Sequence, residues 1–528
     1  MSDTTAPTDL NGAQALIRTL VAAGVDTCFS NPGTSEMHFV AALDTVPEMR
    51  GVLALFEGVA TGAADGYARM AGRPATTLLH LGPGLGNGLA NLHNARKART
   101  PLVNIVGDHA TYHKQYDAQL ESDIETVARN VSPGWVRFTQ SPGEIGRDAA
   151  EAVAAAQGPP GQVATLVLPA DVSWSPGGVA AGPLPAPGRT APDADTVDAV
   201  AKALRSGEPC GLFLGGTALR EAGLVAAGRV ANATGARMLA ETFPSRLERG
   251  EGIPAVDRLA YLAEFAAHQL DGLRHLVLVD AKAPVSFFAY PGKASYLVPE
   301  GCEVHVLAAG DTDAPGALEA LAEVVGAPAD GATRQPASRP ELPTGPLTAQ
   351  AVAAAVGALM PEHAIVSDEG NTSSLFTPGL TAGAARHDWL CLTGGAIGQG
   401  MPVATGAAVA CPDRQVINLQ ADGSALYTIQ SLWTQARESL DVVTIVFNNR
   451  SYAVLNMELD RVGAEAGGPR AKDLLDLSRP DMDFVALATG LGVPATRAAT
   501  GEELSDQLGR ALAQQGPSLI EALVPSLM

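Results

Sequence analysis

Short apolar runs alternate with longer Ala-rich stretches along most of this 528-residue chain. Runs such as PLVNIVGD, HLVLVD, RQVINLQA and VVTIVFNN have the length of buried strands, and the Ala-rich stretches repeat Leu and Val at helical spacing. Strands that are apolar throughout and alternate with helices are typical of parallel sheets covered on both faces. The sequence therefore predicts an α/β fold built from doubly wound parallel sheets.

Two stretches rich in Pro, Gly and Ala interrupt the alternation, at residues 173–195 and 326–346. They lack apolar periodicity and are typical of linkers. Because a chain of this length is too long for one hydrophobic core, we expect three domains. The predicted domains are residues 1–175, 190–330 and 345–528.

One predicted strand–helix–strand unit carries polar residues at both strand ends. RQVINLQ predicts a strand ending at Ala421, a helix follows from Asp422 onward, and VVTIVF predicts the next strand, ending at Asn448 and Asn449. Ligands bind beyond the carboxyl ends of parallel strands, so Asp422 and Asn449 should lie close together. Carboxylate and amide oxygens suit an octahedral Mg²⁺ that takes its other ligands from phosphates and water. Taken alone, Asp422 would instead indicate a helix cap, and Asn448-Asn449 would indicate a turn.

The two halves of this unit, ADGS and NNRSY, resemble the cofactor motif of thiamine diphosphate enzymes. The usual Gly-Asp-Gly appears here as Ala421-Asp422-Gly423. The resemblance implies that Asp422 and Asn449 bind Mg²⁺ through their side chains and Ser451 through its carbonyl. It also implies three cofactor-binding residues in this unit: Gly423, Ser424 and Tyr452.

The segment GVLALFEGVATGAADGYARMAG places Glu57 where an apolar strand ends and a helix begins. In thiamine diphosphate enzymes a glutamate bonded to the aminopyrimidine promotes the imino tautomer that removes the thiazolium proton. The resemblance therefore implies that Glu57 is both catalytic and cofactor-binding. Without the second motif, a carboxylate stabilised by a helix N-terminus would be the simpler interpretation.

Two further segments, VDTCFSNPGTSEMHF and LLHLGPGLGNGLANLHNA, extend the resemblance to benzoylformate decarboxylase and the related acetolactate synthase group. Thr34 stands where benzoylformate decarboxylase has a pocket serine, and His80 matches its first active-site histidine, so the resemblance implies that both are catalytic. The alternatives are a turn hydroxyl for Thr34 and, for His80, a structural ring that donates to a backbone carbonyl.

Two loops of small residues, VSDEGNTSSLF and LTGGAIGQGMPVATGAA, follow predicted strands near the C-terminus. The resemblance implies that Asn371 and Thr372 lie near the diphosphate and that the carbonyl of Gly395 contacts the aminopyrimidine. It also places Ile397 beneath the bent cofactor as an apolar wedge. A core position is the alternative for Ile397.

Two departures from the family bear on the substrate. Leu120 replaces the glutamine of the acetolactate synthase group, which favours a decarboxylase-like pocket. The loop AKAPVSFFAYPGKAS has no His where benzoylformate decarboxylase has its second one, which argues against benzoylformate. We expect decarboxylation of a 2-oxo acid, with the enamine then protonated to an aldehyde or joined to an aldehyde or ketone. The alternatives are an acetolactate synthase-like carboligase and a catalytically inactive cofactor-binding regulatory or interaction subunit.

Composition argues against several classes of binding partner. A formal charge of −21, from 35 Lys and Arg against 56 Asp and Glu, would repel nucleic acid. The five cysteines are far apart, which predicts neither a disulfide framework nor a zinc site, and no apolar run reaches membrane-spanning length. We expect a cytoplasmic protein without a membrane partner. The resemblance implies a homodimer or homotetramer, and it leaves FAD open without predicting it, since the middle third has no dinucleotide motif.

Overall fold

The computed structural model describes residues 10–463 and 467–526. Its strands are β1 (Leu10–Asn11), β2 (Thr27–Asn31), β3 (Arg50–Leu53), β4 (Ala75–Leu79), β5 (Leu102–Asp108), β6 (Val136–Phe138), β7 (Val163–Pro169), β8 (Pro176–Gly178), β9 (Cys210–Leu214), β10 (Arg237–Ala240), β11 (Leu247–Arg249), β12 (Asp257–Arg258), β13 (His275–Val279), β14 (Glu303–Ala308), β15 (Ala364–Glu369), β16 (His387–Cys391), β17 (Val416–Ala421), β18 (Val442–Asn448), β19 (Ala495–Ala498) and β20 (Ser518–Leu523).

The α-helices of the same residues are α1 (Gly12–Ala22), α2 (Met37–Ala42), α3 (Glu57–Ala71), α4 (Leu81–Ala98), α5 (Ile124–Val131), α6 (Ile145–Gln157), α7 (Ala170–Trp174), α8 (Ala194–Leu204), α9 (Glu221–Thr234), α10 (Ala263–Leu270), α11 (Ala314–Val324), α12 (Ala349–Leu359), α13 (Thr377–Leu380), α14 (Gly400–Ala410), α15 (Asp422–Ala425), α16 (Ser431–Glu438), α17 (Ala453–Arg461), α18 (Pro469–Asp473), α19 (Phe484–Gly490) and α20 (Gly501–Leu512). Within the described ranges, none of them combines the length and the apolar character needed to cross a membrane.

Three main sheets follow one another along the chain, and the α/β prediction is confirmed. The N-terminal sheet has the order β3-β2-β4-β5-β7-β6 and the central sheet the order β12-β10-β9-β13-β14. The C-terminal sheet has the order β11-β16-β15-β17-β18-β20-β19. Every strand pair in these sheets is parallel except β11 with β16.

The inner strands β5, β7 and β18 are buried at every residue, as expected when helices cover both faces of a sheet. Strand β11 is an addition that the sequence did not predict, because it lies in the central stretch of the chain and yet pairs with β16 of the C-terminal sheet. The predicted domain boundaries therefore stay a prediction.

Helices α3 and α14 hold the N-terminal and C-terminal sheets together within one chain. Glycines lie where the two backbones meet: a Cβ on Gly66 would collide with the Val403 carbonyl, and one on Gly406 with the Ala63 carbonyl. Glycine allows this close backbone approach because it has no side chain. The contact matters for the site, since α3 begins at Glu57 and α14 follows the loop of Gly395 and Ile397.

The single long helix predicted after Asp422 is wrong. The structure has two short helices, α15 and α16, separated by turns at residues 426–430. In this break the Thr428 hydroxyl donates to the Gly398 carbonyl at 3.0 Å, and a Cβ on Gly398 would collide with the Tyr427 side chain. The break thus packs the chain against the loop that precedes α14.

Candidate active site

Three predicted catalytic residues follow neighbouring strands of the N-terminal sheet. Thr34 follows β2, Glu57 follows β3 and His80 follows β4, and these strands lie side by side in the order β3-β2-β4. The carboxyl ends of parallel strands meet at one edge of the sheet, where ligands bind in open α/β sheets. The structure therefore brings the three residues to the same edge.

The other predicted residues follow four neighbouring strands of the C-terminal sheet, in the order β16-β15-β17-β18. By strand, these residues are Gly395 and Ile397 after β16, Asn371 and Thr372 after β15, Asp422, Gly423 and Ser424 after β17, and Asn449, Ser451 and Tyr452 after β18. They too share one sheet edge.

The Asp422 carboxylate holds the segments after β17 and β18 together. Its Oδ2 accepts hydrogen bonds from the backbone N–H groups of Asn449 at 3.0 Å and Arg450 at 2.7 Å, and its Oδ1 accepts one from Gly423 at 2.7 Å. Burial raises the pKa of Asp422 to about 6, although these hydrogen bonds act in the opposite direction. The two halves of the motif therefore meet at a buried anionic group.

Asn449 extends this contact to the loop after β15. Its amide nitrogen donates to the Ser373 hydroxyl at 3.2 Å, and its Oδ1 accepts from the Ser451 backbone N–H at 2.9 Å. Asn371 begins the same short loop and is exposed, with φ of +51°. A Cβ on Gly423 would collide with the Tyr452 ring, which explains why glycine follows Asp422.

Glu369, at the end of β15, anchors the loop that precedes α14. Its Oε1 accepts from the Gly398 N–H at 2.6 Å, and its Oε2 from the Gly400 N–H at 2.7 Å and the Gln420 amide at 2.9 Å. Burial raises the pKa of Glu369 to about 7, against hydrogen bonds that lower it. Glu369 was not among the predicted site residues, although an acid at the strand end in VSDEGN was a visible signal.

The loop itself takes its shape from two glycines. Gly395 has φ of +76° and Gly398 φ of +91°, the left-handed region that favours glycine. Between them, Ile397 is half-buried and belongs to none of the hydrophobic clusters formed by the described residues. The alternative that Ile397 is a core residue therefore loses support, and contact of Ile397 with the cofactor stays a prediction.

Helix α4 is hydrogen-bonded both to the start of α3, near Glu57, and to the loop that contains Gly395 and Gly398. The Asn91 amide donates to the carbonyls of Gly58 at 2.7 Å and Gly398 at 3.2 Å. Glu57 is 8% exposed, and its Oε2 accepts from the Asn87 amide at 3.0 Å. Asn87 and Asn91 lie in LLHLGPGLGNGLANLHNA, but the sequence alone could not show which of its asparagines reach the site.

His80 is paired with a buried carboxylate and not with a backbone carbonyl. Its Nδ1 lies 2.8 Å from Glu36 Oε2, which also accepts from the Gly33 N–H at 2.7 Å. Burial raises the pKa of Glu36, while the His80 ring and the Gly33 N–H lower it. Thr34 is exposed at the start of the short turn that carries Glu36. Glu36, which was not among the predicted site residues, orients the His80 ring.

The aromatic loop that lacks a histidine lies against Gly395. A Cβ on Gly395 would collide with the Phe287 ring, and this ring packs on Tyr261 with centroids 5.4 Å apart and on Phe288 at 4.8 Å. Phe287 and Phe288 are 42% and 53% exposed. The aromatic loop thus presents an apolar surface beside the loop of Gly395 and Ile397.

Comparison with known proteins gives matches at both ends of the chain. A family model described as the thiamine pyrophosphate enzyme N-terminal TPP binding domain matches residues 10–128. A second model, the C-terminal TPP binding domain of the same enzymes, matches residues 368–522. The matched ranges contain both sheet edges described above.

Two curated relatives and one solved structure are similar over almost the whole chain. IlvX of Mycobacterium tuberculosis, named for the acetolactate synthase large subunit, is 63% identical over 98% of this chain and 100% of its own. Benzoylformate decarboxylase of Pseudomonas aeruginosa is 31% identical over 94% and 96%. The thiamine diphosphate-dependent 4-hydroxybenzoylformate decarboxylase of Rhodococcus jostii RHA1 aligns with a TM-score of 0.85 and 26% identity, over 98% of this chain and 99% of the other.

Proposed function

Since this chain belongs to the thiamine pyrophosphate enzyme family, in the group of decarboxylases and acetolactate synthases, we propose that it decarboxylates a 2-oxo acid with thiamine diphosphate and Mg²⁺. The observation that carries the proposal is the meeting of Asp422 with the Asn449–Ser451 segment at one sheet edge. The same motif identifies the cofactor, while the substrate class rests on the similarity to decarboxylases.

The residues at this edge fit the proposed metal and cofactor. A carboxylate at Asp422, an amide oxygen at Asn449 and a carbonyl at Ser451 are hard oxygen donors of the kind that Mg²⁺ prefers. Gly423 and Ser424 lie at the start of α15, near where we place the diphosphate, and a Cβ on Gly423 would collide with the Tyr452 ring. Thiamine diphosphate, when bound, supplies the electron sink for the negative charge left after loss of CO₂.

We assign proton movements to two groups of this chain. Glu57 holds and returns the proton of the aminopyrimidine, because it is a buried carboxylate with one oxygen oriented by Asn87. If His80 donates Nδ1–H to Glu36, its Nε2 carries the lone pair and can exchange a proton with the substrate. Glu36 thereby acts as a positioning residue for His80.

The substrate side chain is proposed to be apolar, because Phe287 and Phe288 form an exposed aromatic surface beside Gly395. The second candidate is an acetolactate synthase-like carboligase, which is favoured by the 63% identity to IlvX. A catalytically inactive subunit is disfavoured because Glu57 and Asp422 are both retained and buried.

The experiment that tests this proposal is a panel of 2-oxo acids, offered alone and with aldehydes to protein loaded with thiamine diphosphate and Mg²⁺. A decarboxylase releases CO₂ and an aldehyde, whereas a carboligase releases CO₂ and a hydroxyketone. Both products are measured by mass spectrometry. If no acid gives CO₂ and no aldehydes are joined, the decarboxylase proposal is abandoned.

Glu36→Gln is expected to lower kcat by about 10-fold or more with little change in KM, since it removes part of a general acid–base contribution of about 10²–10⁴-fold. A neutral amide no longer fixes the Nδ1–H tautomer of His80, so the pH profile of kcat should also change. Glu48→Gln, an exposed acid of the same domain, is the matched control and should behave as wild type. An unchanged kcat and pH profile in Glu36→Gln would contradict the positioning role of Glu36.

On the resemblance to thiamine diphosphate enzymes, we also propose that the site forms between two chains, so that Glu57 of one subunit faces the cofactor held by Asp422 and Asn449 of the other. Mixing chains that carry Glu57→Gln with chains that carry Asp422→Asn then regenerates one intact site in each hybrid dimer. Random association in a symmetric dimer should restore about a quarter of wild-type activity. A site within one chain always retains one defect, so the absence of any recovery in verified hybrids would contradict the shared site.

A further inference from the structure

A cluster of two histidines and a glutamate lies at the amino end of the central sheet, where β13 and β14 begin. The two strands are parallel, His275 pairs with Glu303, and Val277 pairs with His305. Because side chains alternate between the faces of a strand, His275, Glu303 and His305 project from the same face. This face is the one covered by α8 and α11, whose apolar residues pack with Val277.

The potential ligand atoms of this cluster converge on one point. His275 Nδ1 lies 3.0 Å from His305 Nε2 and 3.7 Å from Glu303 Oε2, and His305 Nε2 lies 3.9 Å from the same carboxylate oxygen. A tetrahedral Zn²⁺ with bonds of about 2.0–2.1 Å separates two nitrogen ligands by about 3.3 Å. A shift of a few tenths of an ångström between the two rings is therefore enough to admit an ion.

A second carboxylate, that of Glu208, orients the His275 ring so that its Nδ1 faces the cluster. Glu208 Oε2 lies 3.1 Å from His275 Nε2, the nitrogen that faces away from the cluster. A histidine that binds a metal through one nitrogen usually donates its other N–H to a carboxylate, which fixes the tautomer and makes the ligand more basic. Glu208 and His275 show this arrangement, which a pair of rings hydrogen-bonded only to each other would not require.

The partial burial of the rings also suits a ligand role. The side chains of His275 and His305 are only 12% and 15% exposed. Glu303 is 68% exposed, so its carboxylate can rotate onto an ion and leave the fourth position to water.

We propose that His275, Glu303 and His305 form a binding site for Zn²⁺ or a similar divalent transition-metal ion, with Glu208 as the positioning residue of His275. The site is separate from the catalytic one, because it lies at the amino ends of strands in a different sheet. By joining β13 to β14, a bound ion stabilises the central sheet in proportion to its affinity for the folded chain. The prediction of no zinc site rested on the spacing of the cysteines and did not include the histidines of HLVLVD and EVHVLA.

The test uses the full chain, stripped of metals, reloaded with thiamine diphosphate and excess Mg²⁺, and titrated with Co²⁺ as a spectroscopic probe. We expect one Co²⁺ per chain with visible absorption of a tetrahedral site, displaced by Zn²⁺. His305→Ala should remove the absorption, and Glu208→Gln should weaken binding by about 10–100-fold. His268→Ala, an exposed histidine of the same domain, is the matched control and should leave binding unchanged.

Thermal unfolding gives an independent readout in the same samples. Zn²⁺ should raise the Tm of wild type and of His268→Ala but not that of His305→Ala, whose Tm without Zn²⁺ also shows whether it folds. Glu303→Gln, a change at an exposed side chain, should likewise weaken Co²⁺ binding without unfolding the chain. Equal Co²⁺ spectra and affinities in wild type, His305→Ala and Glu303→Gln would overturn the proposal, as would the absence of tetrahedral binding in wild type.

Discussion

Asp422→Asn is expected to weaken Mg²⁺-dependent binding of thiamine diphosphate by about 100-fold or more, since even outer-shell partners of metal ligands are worth about 10–100-fold. The substitution keeps the size and one acceptor oxygen of the side chain but removes the charge that the ion needs. The measurement is the shift of Tm on addition of thiamine diphosphate and Mg²⁺ together. Wild type should show a large shift and the variant almost none.

The control is Asp413→Asn, an exposed aspartate near the start of β17, which should keep the wild-type shift. Asp422 Oδ2 accepts two backbone N–H groups, so the variant also loses native hydrogen bonds. Its Tm without ligand is therefore measured separately, and only the ligand-induced shift is compared. A wild-type shift in Asp422→Asn would show that the metal binds elsewhere.

The pH dependence of Mg²⁺ binding tests the role of the Asp422 carboxylate independently. Burial raises the pKa of Asp422 from 3.8 to about 6, so in the metal-free protein the folded chain binds more protons than the unfolded chain in this interval. The stability that this group contributes is present below about pH 4 and is lost as the pH rises through about 6. Mg²⁺ requires the ionised form, so its affinity should rise with pH up to about 6 and then level off.

Glu57→Gln is expected to slow the exchange of the thiazolium proton by about 10²–10⁴-fold while cofactor binding is largely retained. Glutamine is similar in size, but it cannot hold and return a proton at the aminopyrimidine. Exchange is followed by NMR in deuterated buffer on the protein loaded with thiamine diphosphate and Mg²⁺. Cofactor affinity is measured by calorimetry on the same samples.

Glu125→Gln is the matched control for this substitution, since Glu125 is a half-buried acid at the start of α5 in the same domain, with its side chain 46% exposed. It should exchange the thiazolium proton at the wild-type rate. If Glu57→Gln also exchanged at that rate, Glu57 would be a structural carboxylate at a helix N-terminus and the resemblance would have misassigned it.

The parts of the fold that local pattern determines were predicted from the sequence. Continuous apolar runs predict β17 and β18 as largely buried parallel strands, and the carboxyl ends of these two strands bring Asp422 and Asn449 together. These predictions succeed because burial on both faces of a sheet leaves a direct trace in the sequence.

The features of the fold and of the site that depend on contacts between residues far apart in the sequence were not predicted. The break in the helix after Asp422 depends on Thr428 reaching Gly398, and the pairing of β11 with β16 depends on a strand crossing from the central stretch. Glu36 and Glu369 were overlooked for the same reason, since their partners His80 and Gly398 lie far along the chain. One sequence shows which residues could carry charge, but not which buried groups face them.

The measurement that tests the central claim most directly is the rate of CO₂ release from 2-oxo acids by the purified chain, with and without thiamine diphosphate and Mg²⁺. We predict release that requires both additions and that falls sharply in Glu57→Gln and in Asp422→Asn. Release that is independent of the cofactor, or none from any acid by protein shown to bind the cofactor, would contradict the account.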